Sequence, residues 1–268
     1  MTATTGSRRK LAVATWRAPR EGRLYGRLAV DATAVVEYCA RQHAQSGVRV
    51  SPTVLVGVAF QRGVVQVPAF HHRVVLGRVL PYRSYDMAFA VDIGAGADLA
   101  PTKVLGVDRK SVVEVARELG AGAERLRAGQ DGELESVNRV ARSLPSWALR
   151  SLLSGASLLH GGLGVNTFGM PAHPMGSLFV TSIGSGGLDE GYVAPVPFAR
   201  VPLYVCVGDV TDAPMAVDGQ VVVRPQLVVT ATADHRLVDG AHAAALARFV
   251  RAALADPDLL DRPAHSAG

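Results

Sequence analysis

Residues 226–240, Gln226-Leu227-Val228-Val229-Thr230-Ala231-Thr232-Ala233-Asp234-His235-Arg236-Leu237-Val238-Asp239-Gly240, change character part-way along. Gln226 to Ala233 is a β-branched, alternating run of the kind that forms a half-buried strand, and residues 241–254 are Ala- and Leu-rich with apolar positions at helical spacing. The polar stretch from Asp234 to Gly240 therefore falls on a strand-to-helix turn. Asp239 stands where an N-cap carboxylate accepts from the first free N–H groups of a helix. His235 is the candidate for chemistry, because a neutral imidazole is the usual general base near neutral pH and carboxylates or arginines in the same turn can fix its tautomer. A histidine beside two aspartates also fits a surface residue with no chemical role, so this turn alone leaves both readings open.

Outward from it, the pattern predicts a strand over Leu24–Asp31 and a helix over Thr33–Gln45 with Val35, Val36 and Cys39 on its apolar side. Ser51-Pro52 reads as a helix start, since serine caps and proline is tolerated in the first turn. Short strands are expected at Arg73–Val79, Asp86–Asp92 and Lys103–Val107, then a long helix from Arg109 to about Arg127. Later strands surround Thr181 and Val205, and Asp218-Gly219 between apolar runs is a hairpin turn signal. Strands and helices in this order make an α/β or α+β sandwich, with a sheet covered by helices. At 268 residues the chain fits one compact domain, expected over residues 10–262, with a disordered tail at 1–9 and a C-terminal tail at 263–268.

Composition narrows the classes. The net charge of +5 comes almost wholly from arginine and is dense between Arg8 and Arg27. No aromatic interleaving or reading module accompanies it, which argues against a nucleic-acid binder and leaves a solvated face, an oligomer contact or the steering of an anionic partner. Cys39 and Cys206 are too few for a disulfide framework and lie in apolar segments, so buried thiols in a reducing cytoplasm are expected. Met1 to Lys10 has no apolar core behind it and is neither a signal peptide nor a span. Leu149 to Val165 is apolar but glycine-rich and interrupted by Arg150 and His160, too short for a membrane span. It reads as a core helix followed by a loop, or as cover for a pocket or an oligomer seam. Asn166 to Met175, with Pro171 and Pro174, reads as a loop. His71 and His72 have no further ligand at metal spacing, so no metal site is expected. Gly184 to Gly187 reads as a turn, and His242 as a surface or packing residue.

Asp234-His235-Arg236-Leu237-Val238-Asp239-Gly240, followed by the Ala-rich helix and Asp256-Pro257-Asp258-Leu259-Leu260, resembles the C-terminal signature of the catalytic domain of dihydrolipoamide acyltransferases, the core subunits of 2-oxoacid dehydrogenase complexes. Upstream, Asp86 to Asp92, Leu99 to Val104 and Asp108-Arg109-Lys110-Ser111 follow that family's order of strand, strand and helix start. Gly176 to Ser185 resembles the strand that carries its catalytic hydroxyl. The resemblance implies a chloramphenicol acetyltransferase-like two-layer sandwich. It implies acyl transfer between coenzyme A and a dihydrolipoyl or other thiol acceptor, without a covalent intermediate and without a metal. His235 matches the general base. Asp239 matches the motif's second acidic or amide position, with an organising role that holds the turn and arginine partners. Thr181 matches the hydroxyl that donates to the oxyanion. Ser182 is the fallback donor, and Asp234 and Arg236 are supporting residues.

The family also implies a homotrimer, with His235 of one copy facing Thr181 of its neighbour, and assembly into larger cages. The implied partners are dehydrogenase-complex subunits and a lipoyl carrier protein, so that the lipoyl group arrives in trans. The resemblance covers the catalytic domain and not the family's lipoyl and subunit-binding domains. Its N-terminal arm reads as shortened, because Pro19 and Gly22 oppose a continuous helix between Trp16 and Tyr25, and the region from about residue 133 to 175 reads as expanded. Two other functions stay open: a non-catalytic scaffold that keeps the cage-forming fold, and a CoA-dependent acyltransferase for a small hydroxyl or amine acceptor.

Overall fold

In a computed structural model of the chain, the residues described are 10–11, 14–15, 22–93, 99–129, 143–166 and 171–262. The expected tails at 1–9 and 263–268, most of the arm after Trp16, and residues 130–142 and 167–170 of the 133–175 region lie outside them. The elements run β1 (Arg23–Asp31), α1 (Thr33–Ser46), α2 (Pro52–Gln66), β2 (His72–Val75), β3 (Arg78–Pro81), β4 (Met87–Asp92), β5 (Leu99–Val104), α3 (Val112–Arg127), α4 (Ser146–Ala156), β6 (Leu178–Ser182), β7 (Leu203–Val217), β8 (Gln220–Asp234) and α5 (Gly240–Ala255).

Strands β1-β8-β7-β6-β4-β5 form one mixed sheet, and β2 and β3 form a separate two-stranded one. The β4–β6 and β6–β7 pairings are parallel, and the others in the large sheet are antiparallel. Alternation sets the two faces. Leu178 and Val180 of β6, Leu203 and Val205 of β7, and Leu227 and Val229 of β8 share a buried cluster with Val35, Leu55, Phe60, Val115, Leu246 and Val250 from α1, α2, α3 and α5. Each such side chain contributes about 1.5–3 kcal/mol when fully buried, so this layer holds the helices to the sheet. The other face carries Phe179 and Tyr204, covered by Val193, Val196 and Phe198 of the segment that crosses from β6 to β7.

Local chemistry accounts for most boundaries. Ser51 caps α2, its hydroxyl accepting from the Val54 N–H at 3.4 Å, with Pro52 in the first turn. Asp218 (φ 51°) and Gly219 (φ 79°) turn β7 into β8 as a two-residue hairpin.

Three expectations need correction. The single strand over Arg73–Val79 is a hairpin, because Leu76 (φ 48°) and Gly77 (φ 78°) both adopt left-handed conformations and reverse the chain. The strand expected over Lys103–Val107 ends at Val104, and Val107–Arg109 is a 3-10 turn. The helix expected from Arg109 begins at Val112, because Ser111 and Glu114 close a capping box: the Ser111 hydroxyl accepts from Glu114 N at 3.3 Å, and the Glu114 carboxylate accepts from Ser111 N at 2.7 Å. In the 149–165 segment the chain does not leave α4 for a loop at once. It widens into a π-helical turn over Ser157–Leu163, and Leu149 and His160 are buried. Among the described residues no helix is long and apolar enough to cross a membrane.

Candidate active site

β8 ends at Asp234, whose carbonyl accepts from Leu237 N at 3.0 Å and Val238 N at 3.3 Å to make the turn. Val238 is buried in the main cluster with Leu237 packed against it, which anchors the turn from inside. His235 is exposed, and its backbone N–H donates to the Gly22 carbonyl at 3.1 Å, tying it to the chain entering β1. Its ring Nδ1 lies 2.7 Å from the Val238 carbonyl oxygen. A carbonyl only accepts, so the neutral ring carries its proton on Nδ1 and leaves the Nε2 lone pair open as a base.

Asp234 is buried and organises the arginines. Arg236 Nε donates to Oδ1 at 2.9 Å and Nη2 to Oδ2 at 2.5 Å, the Arg236 backbone N–H adds a bond at 3.1 Å, and Arg23 Nη1 stands 3.6 Å from Oδ2. Burial pushes the Asp234 carboxyl up, but the Arg236 hydrogen bonds and the charges of Arg236 and Arg23 outweigh it and hold the group below the usual carboxylate range.

The arginine partners expected for Asp239 thus belong to Asp234. Asp239 caps α5, accepting from Ala241 N at 3.0 Å and His242 N at 3.1 Å, with the His242 ring Nδ1 at 2.8 Å. The bonds from the backbone N–H and ring of His242 hold its carboxyl below the usual range. His242, read from sequence as a surface or packing residue, is part of this cap. Sequence reading missed Arg23 and the Val238 carbonyl; only the arginine density between Arg8 and Arg27 hinted at the first.

Thr181 and Ser182 lie elsewhere. Thr181 is half-buried on the sheet face away from the helices, on the same side as Phe179, and Ser182 is exposed at the strand end. Thr181 pairs with Cys206, and Cys206 with Thr230, which places Thr181 level with a residue well short of His235 and two strands away. With strands about 4.8 Å apart and about 3.3 Å per residue, the separation within one chain is about 19 Å. One chain does not bring Thr181 to His235. Cys39 and Cys206 are free and buried, and burial pushes both thiols up to about 11. Among the described residues no cluster of three or more His, Cys, Asp or Glu side chains is placed to hold a metal.

The helix-backed mixed sheet that ends in this histidine turn has the fold of solved catalytic cores of 2-oxoacid dehydrogenase multienzyme complexes. The cubic core of the pyruvate dehydrogenase multienzyme complex superposes with a TM-score of 0.69 at 18% identity, covering 97% of this chain and 93% of that one. The mixed sheet covered by helices expected from sequence is thus the observed fold. Residues 176–261 match the family model described as 2-oxoacid dehydrogenases acyltransferase (catalytic domain).

Among curated relatives, the succinyltransferase component of the mitochondrial 2-oxoglutarate dehydrogenase complex of Sus scrofa is 37% identical over 81 residues, 30% of this chain. The lipoamide acyltransferase component of the branched-chain alpha-keto acid dehydrogenase complex of Pseudomonas putida is 29% identical over 154 residues, 57% of this chain. The matches span 18% and 30% of the lengths of those relatives.

Proposed function

We propose that the chain is a CoA-dependent acyltransferase that moves an acyl group between CoA and a dihydrolipoyl thiol with His235 as general base. The observation that carries this reading is the bond from His235 Nδ1 to the Val238 carbonyl, which in the neutral form of this exposed ring places the proton on Nδ1 and leaves the Nε2 lone pair to accept one. In the reaction Nε2 takes the proton of the attacking thiol as its sulfur adds to the thioester carbonyl. The resulting imidazolium returns that proton to the departing thiol as the tetrahedral intermediate collapses, so no covalent enzyme intermediate forms. A hydroxyl donor aimed at the oxyanion is worth roughly 3 kcal/mol of barrier. Thr181 supplies it from a second copy of the chain, since its own copy holds it about 19 Å from His235. Asp234 with Arg236 and Arg23, and Asp239 as the helix cap, keep the turn in place.

Assembly is therefore part of the function: a homotrimer with shared sites, built up further into a cage, and supplied with lipoyl groups by a carrier protein of a dehydrogenase complex. The named relatives support this reading and leave the acyl group open between succinyl and branched-chain. Two free, buried thiols suit a reducing, cytoplasmic setting.

The test is release of CoA thiol from acetyl-, propionyl- and isobutyryl-CoA with dihydrolipoamide as acceptor. His235→Ala is expected to fold and assemble as the parent does and to lose at least about a hundredfold in rate. Retained activity in the variant moves the chemistry elsewhere, and no transfer from any donor refutes the proposal.

A further inference from the structure

We infer that the acyl group taken by this site is apolar and branched or longer than acetyl, lodged in a cavity between β1, β8 and α5, and not an acid-tailed group such as succinyl. The inference rests on the acyltransferase reading and gives it a substrate class.

The cavity has a volume of about 250 Å³. Protein interiors are packed about as densely as organic crystals, so a space of this size needs a cause. Here the cause is six small residues from three elements facing one another: Gly26 of β1, Ala231 and Ala233 of β8, and Ala243, Ala244 and Ala247 of α5. Phe60 and Phe70, each almost wholly buried, also line it. An apolar space of about 150 Å³ accepts a benzene-sized guest, so this one, open to solvent on the side of Gly26 and Ala244, has room for more than a two-carbon acyl chain.

Position links the cavity to the base. Leu24 pairs with Ala233, and both line the cavity. Gly22 and His235, joined by the His235 N–H to the Gly22 carbonyl, stand two residues further along the same two strands. That step is about 7 Å, so a chain leaving a thioester carbonyl at His235 meets the near wall of the cavity.

Charge excludes the alternative. Arg27 is the one charged residue in the lining, and Glu190 already accepts from its Nε at 2.6 Å. A succinyl carboxylate carried in among the glycine, alanine, leucine and phenylalanine side chains would lose part of its water, and Arg27, already paired with Glu190, is the one charged group in the lining to replace it.

The experiment compares isovaleryl-CoA with succinyl-CoA on the full chain, by kcat/KM with dihydrolipoamide and by the rise in melting temperature each thioester gives in the absence of acceptor. Two variants fill the cavity. Gly26→Val adds a strand-favouring side chain where a Cβ meets nothing within 4 Å, so its folding is not in question, and Ala231→Leu fills the middle. The parent is expected to favour isovaleryl-CoA by at least about tenfold, and each variant to reduce that ratio by about tenfold, the scale of a methylene or two in an apolar pocket. Transfer that favours succinyl-CoA, or a ratio unchanged in both variants, overturns the inference and leaves the acyltransferase standing. Absent transfer with a larger melting shift for isovaleryl-CoA, lost in both variants, overturns the acyltransferase and keeps the apolar thioester site. Absent transfer with no such difference overturns both.

Discussion

If His235 and Thr181 act together across two copies of the chain, two inactive variants should rescue each other when assembled together. His235→Ala removes the base and should cost about a hundredfold. Thr181→Val keeps the shape, removes the donor and should cost roughly 3 kcal/mol, which is also more than a hundredfold in rate. In a ring where each site takes its histidine from one copy and its hydroxyl from the next, random co-assembly of equal amounts leaves both partners intact at about a quarter of the sites. The mixture should therefore run at about a quarter of the parent rate, roughly 25 times faster than either variant alone. The two variants would be unfolded and refolded together, with the same variants refolded apart and then mixed as the control, and thiol release would be followed with dihydrolipoamide. A co-refolded sample no faster than the control refutes the shared site. The roughly 19 Å between the two residues within one chain would then be a sign that they do not cooperate.

Other outcomes follow from single contacts. His71 is buried against the Tyr85 ring at 3.9 Å with its Nδ1 unpartnered, and burial and the charge of His72 push it down to about 4; burial and the Arg73 charge push His173 to about 4 as well. Both are held neutral when folded, so stability that is complete above the ordinary value of 6.5 is lost as pH falls from there toward 4. Thermal melts across that window should show the fall, and His71→Phe should shrink it. Asp234, held low by its arginines, contributes stability above its ordinary value of 3.8 that disappears as pH drops below it. Asp234→Asn should be less stable at neutral pH and lack this acid-side loss, which acid titration of both proteins by circular dichroism would reveal. At Gly208 an added Cβ would sit 1.9 Å from the Asp189 carbonyl oxygen. Because that wall is backbone, Gly208→Ala should cost at least about 2 kcal/mol, or about 4–8 °C in melting temperature by calorimetry.

These cases also mark where the fold can be read from residues alone. The Asp218-Gly219 turn, the Ser51-Pro52 helix start and the Asp239 cap are legible because each is local chemistry with a matching residue. The Leu76-Gly77 turn is not, since a leucine at φ 48° contradicts the residue preference for that conformation. Ser111 and Glu114 did carry a capping signal, which the charged run before them obscured. In the site, His235 stands out by type and position. The pairing of Asp234 with Arg23 depends on β1 lying beside β8, and the distance of Thr181 depends on the order β8-β7-β6, neither of which local spacing encodes. The cavity is less legible still, because its alanines and glycine come from three elements and look unremarkable in each.

The contact between His235 and the Val238 carbonyl has an evolutionary consequence. A base aimed by a neighbouring carboxylate is lost when either residue changes, whereas this ring is aimed by main chain that every substitution at position 238 retains. The turn can therefore drift in side-chain identity while the proton-accepting atom keeps its direction, as long as an apolar residue at 238 stays anchored in the core and a capping group holds the helix start. Divergent descendants of such a fold can change what they bind before they lose the ability to take a proton.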